Sequence, residues 1–203
     1  MNKALAHLKR ADARLAVLID AHPAPKFEKH NNYYHELVDS IISQQLSVKA
    51  ARTIEGRFKD LFGGEFPSPE QILDKDVEEL RAVGLSRPKT RYIQDLAAKI
   101  IDGTVVFDNI NELSNDEIIV ELTKVKGIGV WTVHMFLMFC MGRLDVLPTG
   151  DLGIRNGVAK LYELNHIPTE REVEIIAEEN NWHPYESVAS WYIWKSLDNT
   201  PEI

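Results

Sequence analysis

One cysteine, Cys140, stands in 203 residues. That excludes a disulfide within the chain and any iron-sulfur cluster held by four thiolates of one chain. Long apolar runs are missing as well. None approaches the length of a membrane span, and the N-terminal MNKALAHLKRADARL is interrupted by charge too often for a signal peptide. The expectation is a cytoplasmic protein with no membrane partner. Positive charge is not in excess: 23 Lys and Arg face 31 Asp and Glu, for a net charge of -8. A partner gripped mainly by bulk positive potential is therefore disfavoured. The basic residues are nonetheless clustered: Arg81, Arg87, Lys89 and Arg91 lie close in sequence, and Lys124 and Lys126 form a pair. Repeats and low-complexity tracts are absent. His30, His35 and Asp39 are neighbours, but no third or fourth ligand is evident, so no transition-metal site is assigned.

The residues that are present, 44% of them hydrophobic, suffice for one sizeable domain or two small lobes. Their spacing is helical almost throughout, with glycine and proline at the joints. Leu5, Leu8, Leu15 and Leu18 predict a first helix ending before AHPAP. Leu37, Ile41 and Ile42 predict a second, running into QQLS. Val48, Ile54, Phe58 and Leu61 follow, closed by Gly63 and Gly64. Ser68-Pro69 reads as N-cap and first helical residue, Asp74 as the start of another helix stopped by Gly84, and Tyr92 to Ile100 as the next. Only TVVFD, Thr104 to Asp108, looks strand-like. Ser114 and Glu117 form a capping box ahead of a helix over about 115–124. VWTVHMFLMFCM, Val130 to Met141, is apolar on nearly every side and predicts a buried helix.

Between these last two helices lies VKGIGVWTV, Val125 to Val133. A turn with glycine at Gly127 and Gly129 leaves main-chain N–H groups bare at a helix start, where they and the helix dipole suit one phosphate. A plain helix-helix corner that needs glycine for close packing is the alternative. The loop GRLDVLPT then leads to Gly150 and Asp151. A carboxylate just before a helix serves as an N-cap, and it can also stabilise a developing positive charge.

Leu122 to Gly153, LTKVKGIGVWTVHMFLMFCMGRLDVLPTGDLG, resembles the helix-hairpin-helix plus Gly/Pro-Asp motif of the DNA glycosylase superfamily. The resemblance is specifically to its DNA-3-methyladenine glycosylase II (AlkA-type) branch. It extends through SIISQQLSVKAA and GLSRPKTRYIQDLA upstream and WHPYESVASWYIW downstream, covering most of the chain in order. It implies an all-α, two-lobed fold with the active site in the cleft between lobes. The chain is read as a single glycosylase unit over 1–203. Its approximate lobes are 28–143, a helical barrel with the hairpin, and 1–27 plus 144–203. Larger relatives carry an N-terminal sheet domain, so this chain is expected to be the minimal form, with an open base site and a range of alkylated purines as substrates.

The resemblance also implies roles. The N–H groups of Gly127, Gly129 and Thr132 would grip the DNA backbone, which reconciles a DNA ligand with the acidic net charge. The carbonyls of Thr123, Val125 and Ile128 would hold a monovalent cation, Na+ or K+, and no other cofactor is implied. Relatives that also nick the strand carry lysine where this chain has Trp131, so the implied enzyme is monofunctional. Asp151 is the implied catalytic carboxylate, while Asp145 is read as structural. The indole face of Trp131 would suit a cationic alkylated purine, with Met135, Tyr34, Trp182 and Tyr185 lining the base pocket. Judged from the residues alone, helical aromatics and methionine belong to a core. Gln44, Gln45 and Leu46 fall at the wedge that fills the gap left by a flipped nucleotide, with Gln45 favoured by position. Lys89 and Arg91 would contact phosphates. Glu186 stands where the family commonly has arginine.

The expected reaction is hydrolysis of the N-glycosidic bond of 3-methyladenine or 7-methylguanine type bases in double-stranded DNA, leaving an abasic site. The expected setting is a bacterial-type cytoplasm, on the nucleoid, with the protein a monomer. Three rival readings remain: a glycosylase for a deaminated or oxidised base, a catalytically silent DNA-binding module, and a helical protein-interaction domain.

Overall fold

Capping residues start most of the helices where their side chains can accept the orphan first-turn N–H groups. Ser68, Asp76, Ser114 and Thr169 each form a reciprocal capping box with a Gln or Glu three residues on. The computed structural model describes residues 1–27 and 29–197. Among them are twelve α-helices and no strand, in keeping with the expected all-α class.

They divide into two compact units, His30–Phe136 and the combination of Met1–Lys29 with Leu137–Ile203. The chain thus passes from one unit to the other at Phe136, earlier than the 143/144 boundary expected from sequence. The transition falls within VWTVHMFLMFCM, which is not one uniform helix. It is α-helical over Val130–Met135 and π-helical over Phe136–Cys140, and π segments are frequent at functional sites.

The His30–Phe136 unit holds α3 (Tyr33–Ser43), α4 (Val48–Leu61), α5 (Pro69–Leu73), α6 (Val77–Ala82), α7 (Arg87–Ile101), α8 (Asn115–Leu122) and α9 (Val130–Met135). α7 is central, packing against α3, α5 and α6. Leu37, Ile41, Phe58, Ile72, Leu80, Ile93, Leu96 and Ile118 form its core, each fully buried. Asp74 ends α5 rather than opening α6, whose N-cap is Asp76. TVVFD is not a strand. It has no partner strand to pair with; Val105 N–H donates instead to Lys99 O (2.9 Å) and Val106 N–H to Glu121 Oε1 (2.9 Å).

The other unit holds α1 (Asn2–Ala11), α2 (Ala13–Ala21), α10 (Leu152–Leu161), α11 (Glu170–Glu179) and α12 (Glu186–Ser196). α12 is buried nearly all round and packs on α1, α2 and α10. It approaches α10 so closely that a Cβ at Gly157 would lie 2.3 Å from Ile193 Cγ2. The single N-terminal helix expected from the leucine spacing is two helices, broken at Asp12. Asp12 is 2% exposed; it caps α2 and accepts hydrogen bonds from Trp182 Nε1 (2.9 Å) and the Tyr162 hydroxyl. A buried carboxylate of this kind is tolerable only because its oxygens are all served by donors.

Candidate nucleic-acid interface and active site

The hairpin between α8 and α9 is shaped by its backbone. Ile128 N–H closes the turn onto Val125 O (3.1 Å), and both side chains are buried. Gly127 sits at φ 83°, in the left-handed region. A second constraint acts on the same residue: a Cβ there would lie 2.1 Å from Cδ2 of Tyr92. Glycine is thus required both by the dihedral and by the ring beneath it. Gly129 is the N-cap of α9 and supplies no capping side chain. A Cβ at Gly129 would meet nothing within 4 Å, so the space over this turn is open. The first helical bond runs from Val133 N–H to Gly129 O (3.1 Å). The amides of Val130, Trp131 and Thr132 precede it, at the positive end of the helix dipole.

Three side chains brace this corner from outside. The Gln44 amide Nε2 donates to Gly127 O (2.8 Å). Asp95, on α7, accepts Lys126 N–H (2.9 Å) and pairs with its ammonium (3.4 Å). Tyr92, also on α7, supplies the ring. Tyr92 and Asp95 lie within GLSRPKTRYIQDLA, but nothing in that stretch links them to the hairpin; the available signal is a tyrosine and an aspartate three residues apart on one helix face.

The α3–α4 loop carries Gln44, Gln45 and Leu46. Gln45 is exposed and holds φ 58°, an uncommon conformation for a residue with a side chain. Leu46 is 38% exposed at the same tip. Gln44 is turned to the hairpin instead, as just described, which separates it from its two neighbours.

Lys89 is not available to phosphates in the way expected. Its ammonium donates to Ile42 O (2.8 Å) and Gln44 O (2.6 Å), satisfying the carbonyl end of α3, and burial holds its pKa below the ordinary lysine value. The basic cluster read from sequence is largely neutralised too. Arg81 and Arg87 both pair with Glu78 (2.6 and 2.9 Å), and Lys126 with Asp95. Arg91 and Lys124 are exposed.

Asp151 is the N-cap of α10. Its Oδ1 accepts the N–H of Ile154 (2.8 Å) and the indole N–H of Trp194 (2.9 Å). Trp194 is 1% exposed and stacks with Phe139, ring centroids 6.3 Å apart. One donor therefore comes from the helix that Asp151 starts and the other from a rigid core ring, so the carboxylate has little rotational freedom. The loop that delivers it is clamped by Ser187 of α12. The Ser187 hydroxyl donates to Arg143 O (2.8 Å) and accepts Val146 N–H (3.1 Å), and its amide donates to Leu144 O (2.9 Å). Ser187 and Trp194 went unassigned in the sequence; both lie in the recognised WHPYESVASWYIW, but their partners are about 40 residues away.

The expected base-pocket residues separate. Trp131 is 47% exposed near the start of α9, and Met135, one turn on, is buried. Tyr185 is half-buried, edge-on to His7 at 5.2 Å. Trp182 is corrected to a core residue: it is 0% exposed, with its indole N–H spent on Asp12. Tyr34 is half-buried and packs edge-on to Phe66 (5.7 Å), and burial, then the Glu70 charge, push its hydroxyl pKa far up. Glu186 lies beside His183 (2.9 Å) in the first turn of α12.

The family model for HhH-GPD superfamily base excision DNA repair proteins matches residues 38–181. DNA-3-methyladenine glycosylase 1 of Schizosaccharomyces pombe is 38% identical over 201 residues, 97% of this chain and 87% of that protein. In structure, the S. pombe 3-methyladenine DNA glycosylase in complex with abasic DNA matches at TM-score 0.79 and 39% identity, covering 97% of each chain. A DNA-3-methyladenine glycosidase from Bacillus halodurans matches at TM-score 0.84 and 37% identity, over 95% of this chain and 88% of the other. With the glycine turn, the capped aspartate and these similarities in agreement, the chain belongs to the HhH-GPD superfamily of base excision DNA repair proteins.

Proposed function

We propose that Asp151 is the catalytic carboxylate of this enzyme, and the observation that carries the proposal is its fixed position between Ile154 N–H and Trp194 Nε1. The chain is a monofunctional DNA glycosylase that hydrolyses the N-glycosidic bond of alkylated purines in DNA and leaves an abasic site. Breaking that bond builds positive charge on the sugar, as in other glycoside hydrolyses. A carboxylate already oriented by two donors stabilises that charge without reorganising. It also directs the attacking water to the face opposite the departing base. Alkylation at N3 or N7 makes the base cationic and a better leaving group, so the protein needs few groups to activate it. Trp131 supports both halves of this reading: an indole offers a face to a cationic ring, and it has no amine for a Schiff base.

The DNA backbone is held by the Gly127–Thr132 turn, with neutral amides in place of surface cations. The carbonyls of Thr123, Val125 and Ile128 hold a monovalent cation there; Val125 O already accepts one hydrogen bond, and a carbonyl has a second lone pair for the ion. Gln45 and Leu46, exposed at the loop tip, fill the gap left by the flipped nucleotide. Trp131 and Met135 serve the base. The protein acts as a monomer in the cytoplasm, over several alkylated purines; no helix of the described residues is long and apolar enough to cross a membrane.

The test is release of free bases from methylated duplex DNA by wild type and Asp151→Asn, with alkali to reveal abasic sites. The expected result is a fall in release of at least about 100-fold, near 3 kcal/mol of barrier, while duplex binding survives. Equal release by both proteins overturns the catalytic role of Asp151, and strand scission without alkali overturns the monofunctional reading.

A further inference from the structure

His35 and Asp39 are one turn apart on α3, and the fold brings Glu55 of α4 to them. One ligand atom from each lies within 4.8 Å of the others. His35 Nε2 is 3.0 Å from Asp39 Oδ2 and 4.0 Å from Glu55 Oε1. Yet His35 Nε2 and Asp39 Oδ1 are both buried atoms with no hydrogen-bond partner. The close contact therefore lacks the alignment of a hydrogen bond, and two buried polar atoms are left unsatisfied. The imidazole is also held in place. Its ring lies on Phe66 with centroids 3.7 Å apart and planes at 32°.

We infer that His35, Asp39 and Glu55 form a site for one divalent transition-metal ion, best suited to zinc, that staples α3 to α4. The chemistry of the donors agrees: one imidazole nitrogen and two carboxylates are a borderline set. Two ligands about 2.0–2.1 Å from a common metal are separated by roughly 2.9–3.4 Å for octahedral to tetrahedral angles. The His35–Asp39 separation already falls there, and Glu55 Oε1 lies roughly 0.6 Å beyond that range from His35 Nε2. Burial, then Lys59, hold the His35 pKa down, and burial, then the Glu55 charge, push Asp39 up to about 7. The charge nearest the site is Lys59, which pairs with Glu55 and lies on α4. It is the competitor that a metal would displace; Glu36, in the first turn of α3, raises the His35 pKa, and His30, ahead of that helix, lowers it. The consequence concerns the α3–α4 loop, since these helices present Gln45 and Leu46. A metal across them stiffens the mounting of that tip, whose Gln45 lies about 1.7 turns along the chain from the nearest ligand, Asp39.

Zinc ion alone, titrated into chelator-stripped full-length protein, tests this. Wild type is expected to bind one equivalent, with Tm rising by roughly 5–10 °C at a hundredfold excess over Kd. His35→Gln and Asp39→Asn should each weaken binding at least tenfold. Lys59→Gln should tighten it several-fold, an effect that a merely damaged fold does not produce. In unmodified protein the imidazole 15N resonances of a single histidine should shift at one equivalent. No stoichiometric binding by wild type overturns the site, as do equal affinities in wild type and the His35 variant, or a shift confined to other histidines.

Discussion

The hairpin corner and the Asp151 corner both end in a helix N-terminus, and they are built in opposite ways. At α9 the N-cap is Gly129, with no side chain to satisfy the first-turn amides. At α10 the N-cap is Asp151, whose own oxygen takes the amide of Ile154. One helix start presents main-chain donors, and the other is capped by a carboxylate acceptor. The first suits a phosphate and the second suits a developing cation. Both are braced by side chains from elsewhere in their own unit, so each can be loosened without touching the group that does the work.

Gly127→Ala is expected to have the largest effect of such a test. The substitution forces a Cβ into the left-handed region, costing about 1–2 kcal/mol, and drives it into the Tyr92 ring, 2.1 Å from Cδ2. Duplex binding should fall by on the order of 100-fold, and thermal stability should drop with it. Gly127→Ala with Tyr92→Ala relieves the collision but not the dihedral, so recovery should be partial. Full recovery, measured by fluorescence anisotropy on a duplex containing an abasic site, would show that the dihedral carries no cost.

At the other corner, Trp194→Phe keeps an aromatic ring against Phe139 and removes only the indole N–H. Base release should slow by roughly tenfold, the order of one lost hydrogen bond to a charged acceptor. KM and duplex affinity should stay close to wild type, because the carboxylate is freed rather than removed. A loss in KM with an unchanged single-turnover rate would place Trp194 in DNA binding instead of in the orientation of Asp151.

These two experiments also mark what was legible in the sequence. Gly127, Gly129 and Asp151 stand in one continuous motif, where residue type and spacing are enough to suggest their chemistry. Their braces are not local. Tyr92 and Asp95 reach the hairpin from over 30 residues upstream, and Trp194 reaches Asp151 from 43 residues downstream. No periodicity encodes such a pairing. The same limit explains Asp12, read as part of a continuous helix, since its partners Tyr162 and Trp182 are 150 and 170 residues away. It explains Lys89, whose charge looked available until the carbonyl end of α3 claimed it. It explains Trp182 as well: an aromatic in a recognised segment can belong to the core beneath a site rather than to its wall.

A milder test loosens the hairpin without altering its backbone. Gln44→Ala removes the donor to Gly127 O, a solvent-accessible hydrogen bond contributing about 0.5–1.5 kcal/mol. Duplex affinity should fall by about two- to tenfold, with the single-turnover rate on bound DNA unchanged. A fall in that rate with intact affinity would assign Gln44 to nucleotide flipping along with Gln45 and Leu46.

The smallest effect should come from charge. A turn that binds phosphate through amides releases few counterions, and Arg81, Arg87 and Lys126 are already paired with acids. With about two phosphates neutralised, log K falls with log salt at a slope near −2, so raising salt from about 50 to 200 mM weakens binding roughly tenfold. Arg87→Ala should then alter affinity by less than about twofold, since an exposed arginine shared with Glu78 is worth little. A slope nearer −6, or a large loss on Arg87→Ala, would mean that Glu78 gives up its partners when DNA arrives. The acidic surface would then be a set of switches rather than a set of settled pairs, and the contrast between an amide-built and a carboxylate-built corner would no longer account for how this protein holds DNA.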